Sequence, residues 1–132
     1  METIAVRTER RSQLVDITHD VAEAVAGRSG AAVLVYVPHT TAAVTINERV
    51  DPALLDDLAD GMERVVIDSW LWRHDDADGP NGPSHLRSSL VGVQVVIPLR
   101  DDGAMALGTY QGIFFCEFDG PRDRVVHVSV LQ

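Results

Sequence analysis

Among the five histidines of this sequence, His39, His74 and His85 stand where polar residue types gather. His39 opens His39-Thr40-Thr41 directly after an apolar run and Pro38. Strand ends carry chemistry more often than strand middles. A neutral imidazole placed there ligates a metal or moves a proton near neutral pH; the alternative is an imidazole satisfied by a loop carbonyl. His85 closes Asn81-Gly82-Pro83-Ser84-His85. If Ser84 caps a short helix, His85 takes its first position, where free backbone N–H groups favour an anion. Arg87, one turn on, is then placed to assist with phosphate. The alternative is an ordinary Ser84 cap with His85 exposed. His74 lies in Arg73-His74-Asp75-Asp76-Ala77-Asp78. That run is either a solvated charged loop or a set of mixed nitrogen and oxygen ligands, with Asp75 and Asp78 as carboxylate donors. Three histidines on separate segments suit a transition metal such as zinc, and the carboxylates suit magnesium. No H-x-x-x-H or C-x-x-C spacing is present.

Gly108-Thr109-Tyr110-Gln111-Gly112 is a second polar cluster. Its glycines permit close backbone approach, and Thr109 and Gln111 share one face if the segment is extended. The alternative is a bulge or bend between strands. Glu117 stands among Phe114, Phe115 and Phe118. A carboxylate in that setting needs a partner, and Arg124 is the obvious one. His19 and His127 read as structural. Cys116, the only cysteine, reads as buried in an apolar strand.

These residues must be carried by a small α+β fold. Strands are expected at Thr3 to Val6, Gln13 to Ile17, Ala31 to Val37 and Ala43 to Asn47. The third is a continuous apolar run, the pattern of a strand buried on both faces. Further strands are expected at Val93 to Leu99, Ala104 to Gly108, Gly112 to Phe118 and Arg124 to Leu131. Thr18 is placed to cap a first helix that ends at Gly27 or Gly30. Asp51-Pro52 starts the main helix, with Leu54, Leu55, Leu58, Met62, Val65 and Val66 on its apolar stripe. Asp68 to Pro83 reads as a long loop, and a short helix from His85 to Val91 closes on Gly92. The order of elements implies one compact domain over residues 1–132, with two or three helices on a mixed or antiparallel sheet.

Composition removes several functions. The net charge is −9, and arginine is the only basic side chain besides histidine. Without lysine there is no Schiff-base chemistry. An acidic surface disfavours nucleic acid as a partner. One cysteine excludes an internal disulfide framework and fits a reducing, cytoplasmic setting. The first residues are too polar for a signal peptide, and the apolar runs are too short to cross a bilayer, so no membrane role is expected.

The ordered set of motifs resembles the YjbQ-type proteins, a family labelled secondary thiamine-phosphate synthase enzymes. The matching segments are His39-Thr40-Thr41-Ala42-Ala43, Asn47-Glu48 with Asp51-Pro52, and Asn81 through Ser84-His85-Leu86-Arg87-Ser88-Ser89. Gly92, Gly108-Thr109-Tyr110-Gln111-Gly112 and Glu117 complete the series. The resemblance implies a compact α+β fold, a homotrimer and weak thiamine-phosphate synthesis. That reaction joins a pyrimidine methyl diphosphate to a thiazole phosphate and expels pyrophosphate. It further implies a catalytic group of His39, His85, Asn47 and Gln111. Thr40, Thr41, Asn81, Ser84, Arg87, Ser88, Gly108, Thr109, Tyr110 and Glu117 would bind a phosphorylated small molecule. Tyr110 stands where the family usually has Trp, which bears on ligand selectivity. Two other readings stay open: a metal-dependent hydrolase using a His-bound water, and a non-catalytic trimeric protein that binds a metabolite or a metal. On the first reading, His39, His74 and His85 line one site with Asn47, Thr109 and Gln111, within one subunit or between subunits.

Overall fold

In a computed structural model, which describes residues 1–75 and 79–132, the chain forms two antiparallel sheets and three helices. Its elements in order are β1 (Glu2–Arg7), β2 (Gln13–Asp16), α1 (Thr18–Val25), β3 (Ala32–Tyr36), β4 (Ala42–Glu48), α2 (Pro52–Val65), α3 (Gly82–Val91), β5 (Gln94–Pro98), β6 (Gln111–Glu117) and β7 (Asp123–Leu131). One sheet runs β1-β7-β3-β5 and the other β2-β6-β4. The α+β expectation holds, and every named strand pair is antiparallel.

The smaller sheet is the middle layer. Val44, Ile113 and Phe115 on one of its faces share a core with Val33, Val35, Val126 and Val128 of the larger sheet and with Val21 and Val25 of α1. Ala43, Phe114 and Cys116 on the other face meet Leu55, Leu58, Ala59 and Met62 of α2. β6 is therefore buried on both sides, which its unbroken Ile113-Phe114-Phe115 run demands. β3 departs from its expectation. Val33 and Val35 are buried, whereas Leu34 is half-buried and Tyr36 is exposed. The described residues cover only one face of the larger sheet.

Several local expectations are corrected. Thr18 does not cap α1 with its side chain; its hydroxyl donates to Asp16 Oδ1 at 2.6 Å and accepts from the Ile113 N–H at 2.8 Å, tying α1 to β6. No strand forms at Ala104 to Gly108, where a single bridge joins Leu99 and Met105. Gly108 to Gln111 is a closed turn: the Gln111 N–H donates to the Gly108 carbonyl at 3.1 Å, and the Gln111 side chain accepts from the Gly108 N–H at 2.8 Å. At α2 the expected cap is found, with Asp51 Oδ1 accepting from the Ala53 N–H at 3.0 Å and Pro52 in the first turn. No helix among the described residues is long and apolar enough to cross a membrane.

Candidate active site: a cleft between two histidine motifs

α3 carries half of the site, and it begins earlier than the sequence suggested. Its first residue is Gly82, which places His85 fourth in the helix. The Ser84 and His85 N–H groups are already spent on the Asn81 carbonyl, at 3.0 and 3.3 Å. The expected anion site at a His85 helix start is therefore absent. Ser84 is not the cap either: fully buried, it donates to the Phe118 carbonyl at 2.5 Å. Ser88 donates to the Ala42 carbonyl at 2.6 Å. These two hydroxyls pin one face of α3 onto the smaller sheet and turn His85, half-buried, outward between them.

The other half comes from the loop after β3. β3 leaves the β7 ladder at Tyr36, and the His39 imidazole takes its place further along. Its Nε2 lies 3.0 Å from the Val125 nitrogen and 3.1 Å from the Val125 oxygen. Burial, then the nearby Arg124 charge, holds the imidazole below its ordinary pKa, so it is neutral at pH 7. The backbone-satisfied alternative is thus realised, and the ring is fixed at the cleft's edge.

A polar cleft of about 320 Å³ opens between these halves, lined by His39, Thr40, Thr41, Asn81, His85, Asp119, Arg122 and Arg124. It continues along His39, His85 and Ser88. The two histidine motifs therefore meet. Asp119, Arg122 and Arg124 were not assigned to the site from sequence, because no local motif distinguishes them from other surface charges. Asn81 caps no N–H with its side chain; its Nδ2 donates to Asp119 Oδ2 at 3.0 Å, which Arg122 also engages at 2.9 Å. Arg124 donates to both oxygens of Glu117 and to the Thr41 hydroxyl at 2.8 Å. Each arginine is matched by a carboxylate, so the cleft offers directed donors more than net positive charge.

Other expected site residues lie elsewhere. Glu117 has the predicted Arg124 partner, but it is fully buried and also accepts from Thr8 Oγ1 at 2.7 Å and from the Phe118 and Asp119 N–H groups at 3.1 Å. It supports the cleft wall from behind and touches no ligand space. Arg87 is likewise fully buried, donating to the Val66 carbonyl at 2.6 Å and the Met62 carbonyl at 3.3 Å. That position keeps Arg87 out of the cleft lining, and the guanidinium donates to the open carbonyl end of α2. Asn47, Gly108, Thr109, Tyr110 and Gln111 are exposed at the far end of β4 and β6, where Asn47 pairs with Gly112 and Glu48 with Gln111. Thr41 and Asn47 are six residues apart, about 20 Å along a strand. A single chain does not bring them to His39 and His85.

His74 does meet His85, with ring centroids 5.0 Å apart and the planes crossed at 86°. Among the described residues no group of three or more His, Cys, Asp or Glu side chains is placed to hold a metal ion. Asp78, one of the expected ligands, lies outside the described residues. Of the expected ligands His39, His74, His85, Asp75 and Asp78, the four described ones form no such group.

Comparison with known proteins agrees over the whole fold. The UPF0047 protein YjbQ-like family matches residues 2–132. A UPF0047 protein of Methanocaldococcus jannaschii is 42% identical over 96% of this chain and 90% of its own length. The UPF0047 protein YugU of Bacillus subtilis is 36% identical over 99% of this chain and 98% of its own. A crystal structure of a YjbQ/UPF0047 family protein from Clostridium acetobutylicum superposes with a TM-score of 0.90 at 37% identity, covering 99% of this chain and 100% of that one. A hypothetical protein of Aeropyrum pernix superposes with a TM-score of 0.90 at 40% identity, covering 99% and 98%.

Proposed function

The chain belongs to the UPF0047 protein YjbQ-like family, and from that footing we propose that the cleft between His39 and His85 binds a phosphorylated small molecule and supports a weak thiamine-phosphate-synthase-type transfer. The observation that carries this reading is the meeting of two distant histidine motifs in one polar cleft walled by Arg122 and Arg124. In the reaction a bond forms between the thiazole ring nitrogen and the pyrimidine methylene carbon. The carbon–oxygen bond to the diphosphate breaks, and pyrophosphate leaves with the electron pair. The departing oxygens need donors aimed at their growing charge. His85 is the group to supply a proton there, since it is half-buried and borders the cleft along its length. Thr40 and Arg122 would hold phosphate oxygens, while neutral His39 orients the ligand at the edge.

The test is direct. Purified protein is incubated with the two precursors and magnesium, and thiamine phosphate is measured by chromatography. Product should form slowly and fall about a hundredfold in His85→Ala, the scale of a lost general acid. Absence of product at any enzyme concentration would sink the transfer reading.

We further propose that three copies associate through the outer face of the larger sheet. Tyr36, Val96 and Leu131 are exposed there, at 41%, 51% and 40%. An apolar run that reads as buried on both faces, yet is covered on one, is what a second copy would complete. Head-to-tail contacts between unlike patches close into rings, and only such a neighbour would bring Asn47 and Gln111 near another copy's cleft.

A further inference from the structure

The polar cleft has an apolar neighbour to which the reading above assigns no part of the ligand. A trough of about 770 Å³ adjoins it, lined by Trp70, Leu71, Trp72, His74, His85 and Leu86 among others. Trp70 is 67% exposed and Leu71 90% exposed, an unusual display of large apolar surface on a small chain. Trp72 is held firmly in place. Its Nε1 donates to the Ile67 carbonyl at 3.2 Å, so its polar edge is satisfied. Its ring lies directly on Gly82, where an added Cβ would come within 2.8 Å of Cε3. Gly82 is therefore required by close approach, and α3 and the indole position each other. His74 meets His85 edge to face at the trough's polar end.

His85 lines both the trough and the polar cleft. We propose that the trough is a subsite for a flat aromatic or heteroaromatic ring, so that the ligand presents its ring to the tryptophans and its phosphate to the cleft across His85. This rests on the cleft being the phosphate site. Fixed indole surface favours a planar ring over an alkyl chain of similar size because stacking adds to area burial. Such contacts tolerate different rings, since every aromatic ring has a stacking face.

The test compares phenyl phosphate, butyl phosphate and inorganic phosphate by calorimetric titration of the whole protein. The wild type should bind phenyl phosphate about tenfold more tightly than butyl phosphate. Trp70→Ala, which truncates an exposed side chain and leaves the Trp72 indole in place, should reduce that preference severalfold and leave inorganic phosphate binding unchanged. Light scattering is run on both proteins. Equal affinity for the two esters in the wild type overturns the ring subsite alone. A lower particle mass in Trp70→Ala with the ring preference intact also overturns it, and assigns the trough to a contact between copies. If none of the three phosphates binds, the cleft reading falls and this one with it.

Discussion

Loss of water moves the His39 imidazole and the Cys116 thiol in opposite directions. Burial disfavours the charged form of each, lowering the first and pushing the second up to about 12. Cys116 is buried and has no thiolate near neutral pH. It should resist a disulfide-exchange reagent in the native protein at pH 7 and react at once in denaturant; rapid native labelling would contradict this. For His39 the sign follows from the lowered folded value. Its contribution to stability is complete above about pH 6.5, the unfolded value, and is lost as acid protonates the unfolded chain first. Wild-type protein should thus lose melting temperature on acidification through that window, and His39→Gln should flatten this part of the profile. Identical profiles would argue against burial as the cause of the lowered value. At this scale the sequence was readable for Glu117 with Arg124, because a lone carboxylate among phenylalanines demands a cation. It did not show the burial of Arg87, whose nearest partners are the Met62 and Val66 carbonyls at the end of α2, with Asp68 further off, and no side-chain motif announces backbone acceptors.

α3 is the element on which the site depends. Ser84 and Ser88 lie one turn apart and fasten it to the Phe118 and Ala42 carbonyls. Each serine replaced by alanine should cost about 1–2 kcal/mol, seen in urea unfolding, and both together should reduce ligand binding by freeing His85. A double variant of wild-type stability would remove these hydroxyls from the account. Most elements were legible from periodicity and caps: α2 from Asp51-Pro52 and its apolar stripe, β6 from its unbroken apolar run. The start of α3 was not. Gly82-Pro83 reads as a turn, yet Pro83 fits a first helical turn and Gly82 is needed beneath Trp72. The Gly108 to Gln111 segment was legible as a bend but not as an end of the molecule remote from His39, because strand direction depends on long-range pairing that no local pattern encodes.

For the whole molecule, a net charge of −9 on each chain opposes association, so the proposed trimer would have to be held by apolar area. Light scattering should give three chains per particle, more firmly in high salt, where the repulsion is screened. Tyr36→Asp with Val96→Asp should yield single chains; a trimer that survives both changes would place the contact on another face. Family and architecture were legible over the full length because many weak motifs occur in order. The assembly of the site was legible only in part: the sequence reading joins His39 and His85 with Asn47 and Gln111, whereas only the two histidines border one cleft and Asn47 lies about 20 Å along the strand from Thr41. The most direct measurement is calorimetric titration of the pyrimidine methyl diphosphate into wild type, His39→Ala and His85→Ala, each confirmed as folded. A single class of site in the wild type, weakened about tenfold or more by either substitution, is the predicted result. Unchanged affinity in both variants would contradict the cleft as the binding site.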